Sequence, residues 1–135
     1  LTFLNPSPAL ANSSLSVNDK SVSTKLTIGG VCFIFPGDSE KKAEEQMLAS
    51  GLNLHCQVLK AGHHGSRTSS SAAFLNAVKP EVAIISTGLN NSYGHPHAEV
   101  LQHLQAANAT IYRTDMHGTI LIESNGTGYW IATEK

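Results

Sequence analysis

The sequence predicts an α/β domain in which strands and helices alternate and pack in layers. Residues 31–35 are wholly apolar, and the segment 81–87 has an apolar centre at 82–85; both are typical of strands buried in a sheet. Gly29-Gly30 joins two strand-like segments, as a two-residue turn does in a β-hairpin. Amphipathic segments that are typical of helices lie between the apolar runs, at 39–50, 69–78 and 96–107.

The first half of the chain is predicted to form an irregular region, a hairpin and a helix. Residues 1–20 are the irregular N-terminal loop region, because Pro, Ser and Asn dominate most of it. The segments SVSTKLTI and VCFIF are the hairpin strands. Asp38 or Ser39 is the expected N-cap of the helix over 39–50. The inner stripe of this helix comprises Ala43, Met47 and Leu48.

The second half is predicted to repeat strand and helix and to close with short strands. A strand over 55–61 leads to the second helix, and a strand over 81–87 leads to the third. Pro96 is expected at the first position of that third helix. TIYRT, HGTILIE and GYWIA are the closing strands, with Asn125-Gly126 as a second hairpin turn. The predicted order is β-β-α-β-α-β-α-β-β-β, in a single domain over 1–135.

Composition narrows the possible functions only slightly. A net charge of -1 gives no overall attraction to nucleic acid or acidic membranes, although a bound metal could attract a phosphate locally. No apolar run approaches the ~20 residues of a membrane span, and the start lacks the basic region of a signal peptide. A chain that opens on Leu1 instead of Met is expected to be a piece of a longer one. Cys32 and Cys56 lie in apolar runs and are predicted as two buried thiols, in preference to a disulfide or a ligand pair.

Polar loops follow three of the predicted buried strands, and each loop carries residues that could do chemistry. Asp38 follows the first, where a turn or cap residue is the alternative interpretation. His63 and His64 stand between glycines that let the backbone approach a metal or a phosphate, and a structural pair of loop histidines is the alternative. His95 lies at the expected start of a helix, which suits contact with an anion, whereas His97 is expected to be an exposed first-turn residue.

These residues meet at one edge if the three strands lie in one sheet and run the same way. A carboxylate with histidines supplies ligands that Zn, Mn or Fe accept. Two or three candidate ligands are fewer than a closed two-metal site needs. Asp115 and His117 are placed in the turn of a late hairpin, where turn chemistry explains them.

Four stretches, in this order, carry a family resemblance: FPGDSEKKAEEQMLASG, LKAGHHGSRTSSSAAFLNAVKP, EVAIISTG and YGHPHAEVLQHLQ. Together they resemble the metallo-β-lactamase-like domain of ComEC/Rec2-type DNA-internalisation competence proteins, from about residue 18 to residue 122. The resemblance implies half of an αββα sandwich, with a mixed sheet and flanking helices. It also implies DNA uptake with metal-dependent hydrolysis of phosphodiesters, in which metal-bound hydroxide attacks phosphorus.

The resemblance further implies roles for individual residues. Asp38 would bridge two divalent ions, zinc or manganese, and His64 would be a ligand of one of them. His63 and His95 would be catalytic residues that line the substrate side and stabilise developing charge. Further candidate substrate-binding residues are Lys60, Ser66, Tyr93 and His97.

The sequence departs from the family pattern in three respects. The main metal motif of the family, His-x-His-x-Asp-His, is absent, since the one His-x-His stretch at 95–97 belongs to a different motif. Asn18 or Asp19 stands where many relatives carry a histidine, and Pro36 stands where Thr is usual. The chain is therefore interpreted as the C-terminal half of the domain. Such a half would expose a large apolar face unless it pairs with the N-terminal half or dimerises.

By itself, the chain is expected to bind metal weakly or not at all and to hydrolyse nothing. For the intact protein, the implied partners are DNA, the N-terminal half of the domain and a membrane channel. The implied location is an extracytoplasmic domain of a bacterial inner-membrane protein. Two alternatives remain open: a phosphodiesterase such as a phosphorylcholine-esterase-like hydrolase, and a non-catalytic structural or DNA-guiding module.

Overall fold

The computed structural model of the chain describes residues 1–7 and 15–135. The strands are β1 Thr2–Asn5, β2 Ser23–Ile28, β3 Val31–Phe35, β4 Val58–Lys60, β5 Val82–Ile85, β6 Thr110–Arg113, β7 Ile120–Ser124 and β8 Tyr129–Thr133. The α-helices are α1 Lys41–Ala49, α2 Ala72–Val78, α3 Ala98–Ala106 and the one-turn α4 Thr114–His117. Among the described residues, no helix combines the length and the apolar character needed to cross a bilayer.

Six strands form one mixed sheet in the order β1-β2-β3-β4-β5-β6. β2 is antiparallel to both of its neighbours, β1 and β3, whereas β3, β4, β5 and β6 run parallel to one another. The predicted α/β fold with a mixed sheet and flanking helices is therefore confirmed. Because β3, β4 and β5 run the same way, their carboxyl ends lie at one edge, which we call the functional edge.

The two faces of the sheet are covered differently. On one face, alternate strand residues such as Ile34, Leu59 and Ile85 are fully buried in a core with Phe74 of α2 and Leu104 of α3. On the other face, a smaller cluster meets the separate β7-β8 hairpin. Its members are Val31, Phe33 and Val58, with Leu26, Ile84, Ile122 and Tyr129 packed against them. We call this second side the helix-free face.

Both predicted hairpin turns are confirmed, and they touch each other. Gly29-Gly30 connects β2 to β3, and Asn125-Gly126 lies in the connection between β7 and β8. The backbone N–H of Gly30 donates to the carbonyl oxygen of Gly126 at 2.7 Å. Gly29 has a φ of +58°, and a Cβ there would collide with the backbone of Gly126. Glycine is thus needed at position 29 for both its conformation and this contact.

Predictions about the N-terminal region and the first helix cap are wrong. Residues 2–5 form β1 and pair with β2, while residues 8–14 of the predicted loop lie outside the described residues. The N-cap position of α1 is Glu40, and its side chain makes no capping bond. Asp19 supplies that bond instead, because its Oδ1 accepts the backbone N–H of Ala43 at 3.1 Å. This cap comes from a segment more than twenty residues away, so the local sequence does not indicate it.

The placement of Asp115 and His117 in a hairpin turn is also wrong. Both residues belong to α4, which joins β6 to β7. These two strands do not pair with each other, since β6 extends the main sheet beside β5 and β7 pairs with β8.

The two cysteines form a disulfide, Cys32–Cys56, and the predicted pair of free thiols is therefore wrong. Cys32 lies in β3, and Cys56 lies two residues before the neighbouring strand β4. Their Cα atoms are 5.2 Å apart, within the range that disulfides span. The burial of both residues was predicted correctly.

A buried carboxylate connects α1 to the loop that leads from the functional edge into α2. Glu44 is 1% exposed, and its two oxygens accept the backbone N–H groups of Ser70 at 2.5 Å and Ser71 at 2.9 Å. Burial raises the pKa of Glu44 above its ordinary value, and the hydrogen bonds and the nearby His103 oppose that rise. Glu44 therefore fixes the chain directly after the His63-His64 loop.

We predict that Glu44→Ala lowers the free energy of unfolding by about 1–3 kcal/mol, because two backbone N–H groups lose their acceptors. Urea denaturation followed by circular dichroism measures this difference. Glu45→Ala is the matched control, since Glu45 is the exposed neighbour on the same helix. Equal losses in the two variants would contradict the assigned role.

The raised pKa of Glu44 also fixes the sign of a pH effect. Between the ordinary pKa of 4.5 and the higher pKa in the folded protein, the folded state holds a proton that the unfolded state has released. The part of the stability that comes from this bound proton is therefore fully present below pH 4.5 and is lost as pH rises through the folded pKa. Glu44→Gln, which does not titrate, is expected to lack this part of the pH dependence.

We further predict that reduction of Cys32–Cys56 destabilises the protein by about 2–4 kcal/mol, because the bond restricts the unfolded chain. In denaturant without reductant, a thiol reagent is expected to detect no free thiol, and after reduction it is expected to detect both cysteines. Two reactive thiols before reduction would disprove the pairing.

Candidate functional site

A cavity of about 400 Å³ lies at the functional edge and gathers residues from three loops. The loops follow β3, β4 and β5, so the parallel order of these strands brings them together. The residues that line the cavity are Asp38, His63, His64, Thr87, Gly88, Asn91, Tyr93 and His95. The four residues that the sequence singled out for catalysis and metal binding thus share one cavity.

The loop after β4 presents its two histidines through an unusual backbone. His63 has φ +47° and ψ +43°, and His64 has φ +56° and ψ +23°, so both are in the left-handed region. The backbone N–H of His63 donates to the carbonyl oxygen of Gly37 at 3.0 Å, which ties this loop to the loop that carries Asp38. Consecutive left-handed residues other than glycine are strained, and such strain is concentrated at functional sites.

His64 and Asp38 face each other with two acceptor atoms. Nδ1 of His64 lies 2.8 Å from the carbonyl oxygen of Ser86, which can only accept, so Nδ1 carries the proton. In the neutral ring, Nε2 is therefore an acceptor, and it lies 3.6 Å from Oδ1 of Asp38. Both side chains are about half exposed. Two acceptors in this position leave room for a cation between them.

His63 belongs to a second polar group on the same side of the cavity. Its Nδ1 lies 3.4 Å from Oε1 of Glu40 and 3.4 Å from the hydroxyl of Thr68. The side-chain amide of Asn18 donates to the same Glu40 oxygen at 3.3 Å. Asn18 is thus linked to His63 through Glu40.

His95 lies among other aromatic rings. Its ring centroid is 5.8 Å from that of His63, 5.7 Å from that of Tyr93 and 4.9 Å from that of His97. Burial lowers the pKa of His95, and the neighbouring histidines and Arg67 lower it further. The ring is therefore expected to stay neutral around pH 7, with one N–H to donate and one nitrogen to accept. Asn91 holds its backbone, donating to the carbonyl oxygen of His95 at 2.6 Å and accepting its N–H at 2.9 Å.

His97 contacts the loop after β4 and not the cavity itself. It is the N-cap residue of α3, which begins at Ala98, so the expectation that Pro96 opens this helix is wrong. Nδ1 of His97 accepts the backbone N–H of Arg67 at 3.1 Å, and Nε2 lies 3.2 Å from Nη2 of the same arginine.

The other candidate substrate-binding residues have different surroundings. Tyr93 is exposed at the mouth of the cavity and stacks on His95. Ser66 is buried, and its hydroxyl lies 3.0 Å from that of Thr68 within the loop. Lys60 lines a separate apolar cavity of about 480 Å³ on the helix-free face. Burial lowers the pKa of Lys60, and the charge of Asp38 partly offsets this effect.

Four residues of the site region carried no clear signal in the sequence. Asn91 shapes the loop around His95, and Glu40 contacts His63. Arg67 contacts His97, and Ser69 donates through its buried hydroxyl to the carbonyl oxygen of Gly62 at 2.7 Å. Arg67 and Glu40 contact residues that are distant in sequence, and Asn91 and Ser69 contact residues within their own polar loops. Arg67 and Ser69 stand in GHHGSRTSSS, Asn91 stands in GLNNSYGH, and Glu40 follows Asp38 by two residues. These positions could have suggested only that the four residues lie near the site.

Asp38 and His64 are the residues at this site that could bind a metal ion. A carboxylate and an imidazole whose other nitrogen is held by a carbonyl oxygen are typical zinc or manganese ligands. Across residues 1–7 and 15–135, no group of three or more His, Cys, Asp or Glu side chains is placed to hold a metal ion. These two side chains therefore fit part of a metal site, which would need further ligands to be complete.

Comparison with known proteins gives four informative relatives, whereas no protein-family model matches the chain. The chain is 43% identical over 105 residues to ComE operon protein 3 of Bacillus subtilis, covering 78% of this chain and 14% of that protein. It is 41% identical over 119 residues to the competence protein ComA of Neisseria gonorrhoeae, covering 87% of this chain and 17% of that protein. It is 38% identical over 89 residues to recombination protein 2 of Haemophilus influenzae, covering 66% of this chain and 11% of that protein.

These matches concern one part of much longer proteins. The chain spans between 11% and 17% of the length of the three relatives. An uncharacterised Escherichia coli protein, YcaI, is 27% identical over 117 residues, and the match covers 16% of its length. Over most of its length, the chain is therefore homologous to one segment of bacterial competence proteins.

Proposed function

We propose that this chain is the C-terminal half of a metallo-β-lactamase-like domain of a ComEC-type competence protein. In the intact protein, it would take part in DNA uptake by hydrolysing phosphodiester bonds. The observation that carries this proposal is the cavity at the functional edge, where Asp38 and His64 offer two acceptors beside His63 and His95. The similarity to the competence protein ComA supports DNA as the substrate.

The helix-free face supports the interpretation as half of a sandwich. All three of the longer helices pack on the opposite side of the sheet. On the helix-free face, Phe33 and Ile84 line the apolar cavity of about 480 Å³, and Phe35 at its margin is 41% exposed. A second sheet laid against this face would bury these side chains. We assign that place to the N-terminal half of the domain, because the relatives extend far beyond the part that this chain matches.

The chemistry divides between this chain and the rest of the domain. A divalent metal, when bound, would supply Lewis-acid activation for phosphodiester hydrolysis. Asp38 and His64 would hold it, and the remaining ligands would come from the N-terminal half. His63 and His95 line the same cavity and would donate hydrogen bonds to the phosphate as negative charge develops on its oxygens. Tyr93, at the mouth, offers an aromatic surface on which a base can stack.

An extracytoplasmic location is part of the proposal, and the disulfide supports it. Disulfides persist in oxidising compartments and are rare in the bacterial cytoplasm. Cys32 and Cys56 are paired across two neighbouring segments of the sheet, so a reducing compartment would remove a link within the core.

One observation favours a second candidate, a non-catalytic DNA-guiding module. Within the described residues, Asp38 and His64 are the two candidate metal ligands, and no group of three or more is placed to hold a metal ion. Hydrolysis would therefore depend on what the N-terminal half supplies. If that half lacks the His-x-His-x-Asp-His motif, the cavity would bind a DNA backbone without cleaving it.

The test is nuclease activity of the parent protein, measured with Zn²⁺ or Mn²⁺ on a labelled DNA substrate. We predict that Asp38→Asn and His64→Ala each lower the rate at least about a hundredfold, because each removes a ligand from the reacting centre. We predict that the 135-residue chain alone shows no chelator-sensitive hydrolysis under the same conditions.

His55→Ala is the matched control, since His55 is exposed and lies before β4, at the opposite edge of the sheet. Full nuclease activity of Asp38→Asn would rule out the catalytic proposal. If that variant also retains DNA uptake, the non-catalytic DNA-guiding module becomes the better interpretation. Hydrolysis of phosphorylcholine esters in preference to DNA would identify the alternative phosphodiesterase.

A further inference from the structure

We infer that Arg67 and His97 form a binding site for a backbone phosphate of the DNA strand, beside the phosphate that reacts in the cavity. The proposed function does not assign this site, although the identification of its ligand as DNA rests on that function. The chemistry to be recognised is a phosphodiester oxygen, which accepts hydrogen bonds and carries negative charge.

The first argument is the arrangement of donors. Nδ1 of His97 accepts the backbone N–H of Arg67, so the proton of the neutral ring is on Nε2. That Nε2 lies 3.2 Å from Nη2 of Arg67, and a guanidinium can only donate. The two groups therefore cannot satisfy each other. An acceptor oxygen placed within reach of both would take a hydrogen bond from each.

The second argument is the unbalanced charge of Arg67. Arg113 offers a comparison, because its guanidinium donates to both carboxylate oxygens of Asp115, at 3.0 Å and 2.6 Å. Within the ranges that the structure describes, no carboxylate lies within 4.0 Å of the Arg67 guanidinium. Arg67 is also exposed, so an incoming anion can reach it. Arginine is also well suited to phosphate, because its guanidinium offers several hydrogen-bond donors in a fixed plane.

The third argument is position. The ring of His97 lies 4.9 Å from the ring of His95, which lines the reaction cavity. On its other side, Arg67 shares a cavity of about 260 Å³ with Lys41, and Glu99 also lines that cavity. The Arg67-His97 pair thus stands between the reaction cavity and a second cation. A strand that crosses the functional edge would place one phosphate in the reaction cavity and a neighbouring phosphate at this pair.

The ligand is better described as a strand than as a free terminal phosphate. A single phosphate monoester would occupy the reaction cavity and leave the Arg67-His97 pair without a partner. Contacts to phosphates fix the register of a strand and carry no sequence information. The site is therefore expected to bind DNA without sequence preference and to lose affinity as salt concentration rises.

The experiment measures binding of fluorescein-labelled octathymidylate to the 135-residue chain by fluorescence anisotropy over a range of salt concentrations. Arg67→Gln is expected to weaken binding about tenfold at low salt, because a charge-assisted pair of hydrogen bonds is lost. It is also expected to lower the slope of log affinity against log salt by about 0.7, the value for one phosphate contact on a single strand. Arg67→Lys, which keeps the charge without the planar donors, is expected to lie between the two.

Lys79→Gln is the matched control, since Lys79 is exposed and lies next to the start of β5, at the edge opposite the site. Equal effects of Arg67→Gln and Lys79→Gln would overturn the inference, because they would indicate a diffuse charge effect. No measurable binding by the unmodified chain at low salt would also overturn it. Binding of the chain to phosphatidylglycerol vesicles that octathymidylate fails to displace would also overturn the inference.

The two proposals can fail separately. Asp38→Asn in the parent protein tests hydrolysis, and Arg67→Gln in this chain tests binding of the strand. If Arg67→Gln does not weaken strand binding but Asp38→Asn still lowers nuclease activity, the hydrolase proposal stands and the phosphate-site inference fails. If Arg67→Gln weakens strand binding but Asp38→Asn leaves nuclease activity unchanged, the edge binds a strand and the hydrolase proposal fails.

Discussion

The left-handed backbone of His63 and His64 is the constraint on which the geometry of the site depends. It turns the chain sharply at the carboxyl end of β4, so that both rings reach the cavity from adjacent positions. The conformation costs about 1–2 kcal/mol per residue for side chains that carry a Cβ. The surrounding contacts must offset this cost, and they come from the loop after β3, from α1, from the loop after β5 and from within the loop itself.

Some of these contacts lie within the loop, and the others join it to different parts of the fold. The carbonyl oxygen of Gly37 accepts the N–H of His63, and the buried hydroxyl of Ser69 donates to the carbonyl oxygen of Gly62. Glu44 holds the backbone where the loop enters α2. Gly65 lies against Pro96, where a Cβ would be 2.7 Å from the proline side chain. The two histidine loops are therefore packed together.

How much of this the sequence could predict depends on whether the interaction is local. The stripe of Ala43, Met47 and Leu48 and the turn at Gly29-Gly30 were predicted correctly, because each depends on neighbours within a few residues. β1 was missed, because four residues become a strand only by pairing with β2, about twenty residues along the chain. The Cys32–Cys56 disulfide was missed for the same reason, since only the sheet brings the two residues together.

Some features of the candidate site could likewise be predicted from the sequence, and others could not. The convergence of Asp38, His63, His64 and His95 was predicted from the positions of the loops after buried strands, and the structure brings these residues to one cavity. Two further features were not predictable: the proton on Nδ1 of His64 and the proton on Nε2 of His97. Each depends on a backbone partner more than twenty residues away, the carbonyl oxygen of Ser86 in one case and the N–H of Arg67 in the other.

These two tautomers give the functional edge its electrostatic character. At His64 and Asp38, two acceptors face each other and favour a cation between them. At His97 and Arg67, two donors face each other and favour an anion. A phosphodiester with a divalent metal would supply both partners at once, because Asp38 and His64 would hold the metal while Arg67 and His97 donate to a phosphate oxygen. His95, which lies near both pairs and whose pKa is lowered by burial and by its neighbours, adds no positive charge that would compete with the metal. The unsatisfied groups at this edge are thus complementary to a metal-bound nucleic acid strand, and that complementarity, more than any single residue, is the physical basis of the proposal that this edge binds DNA.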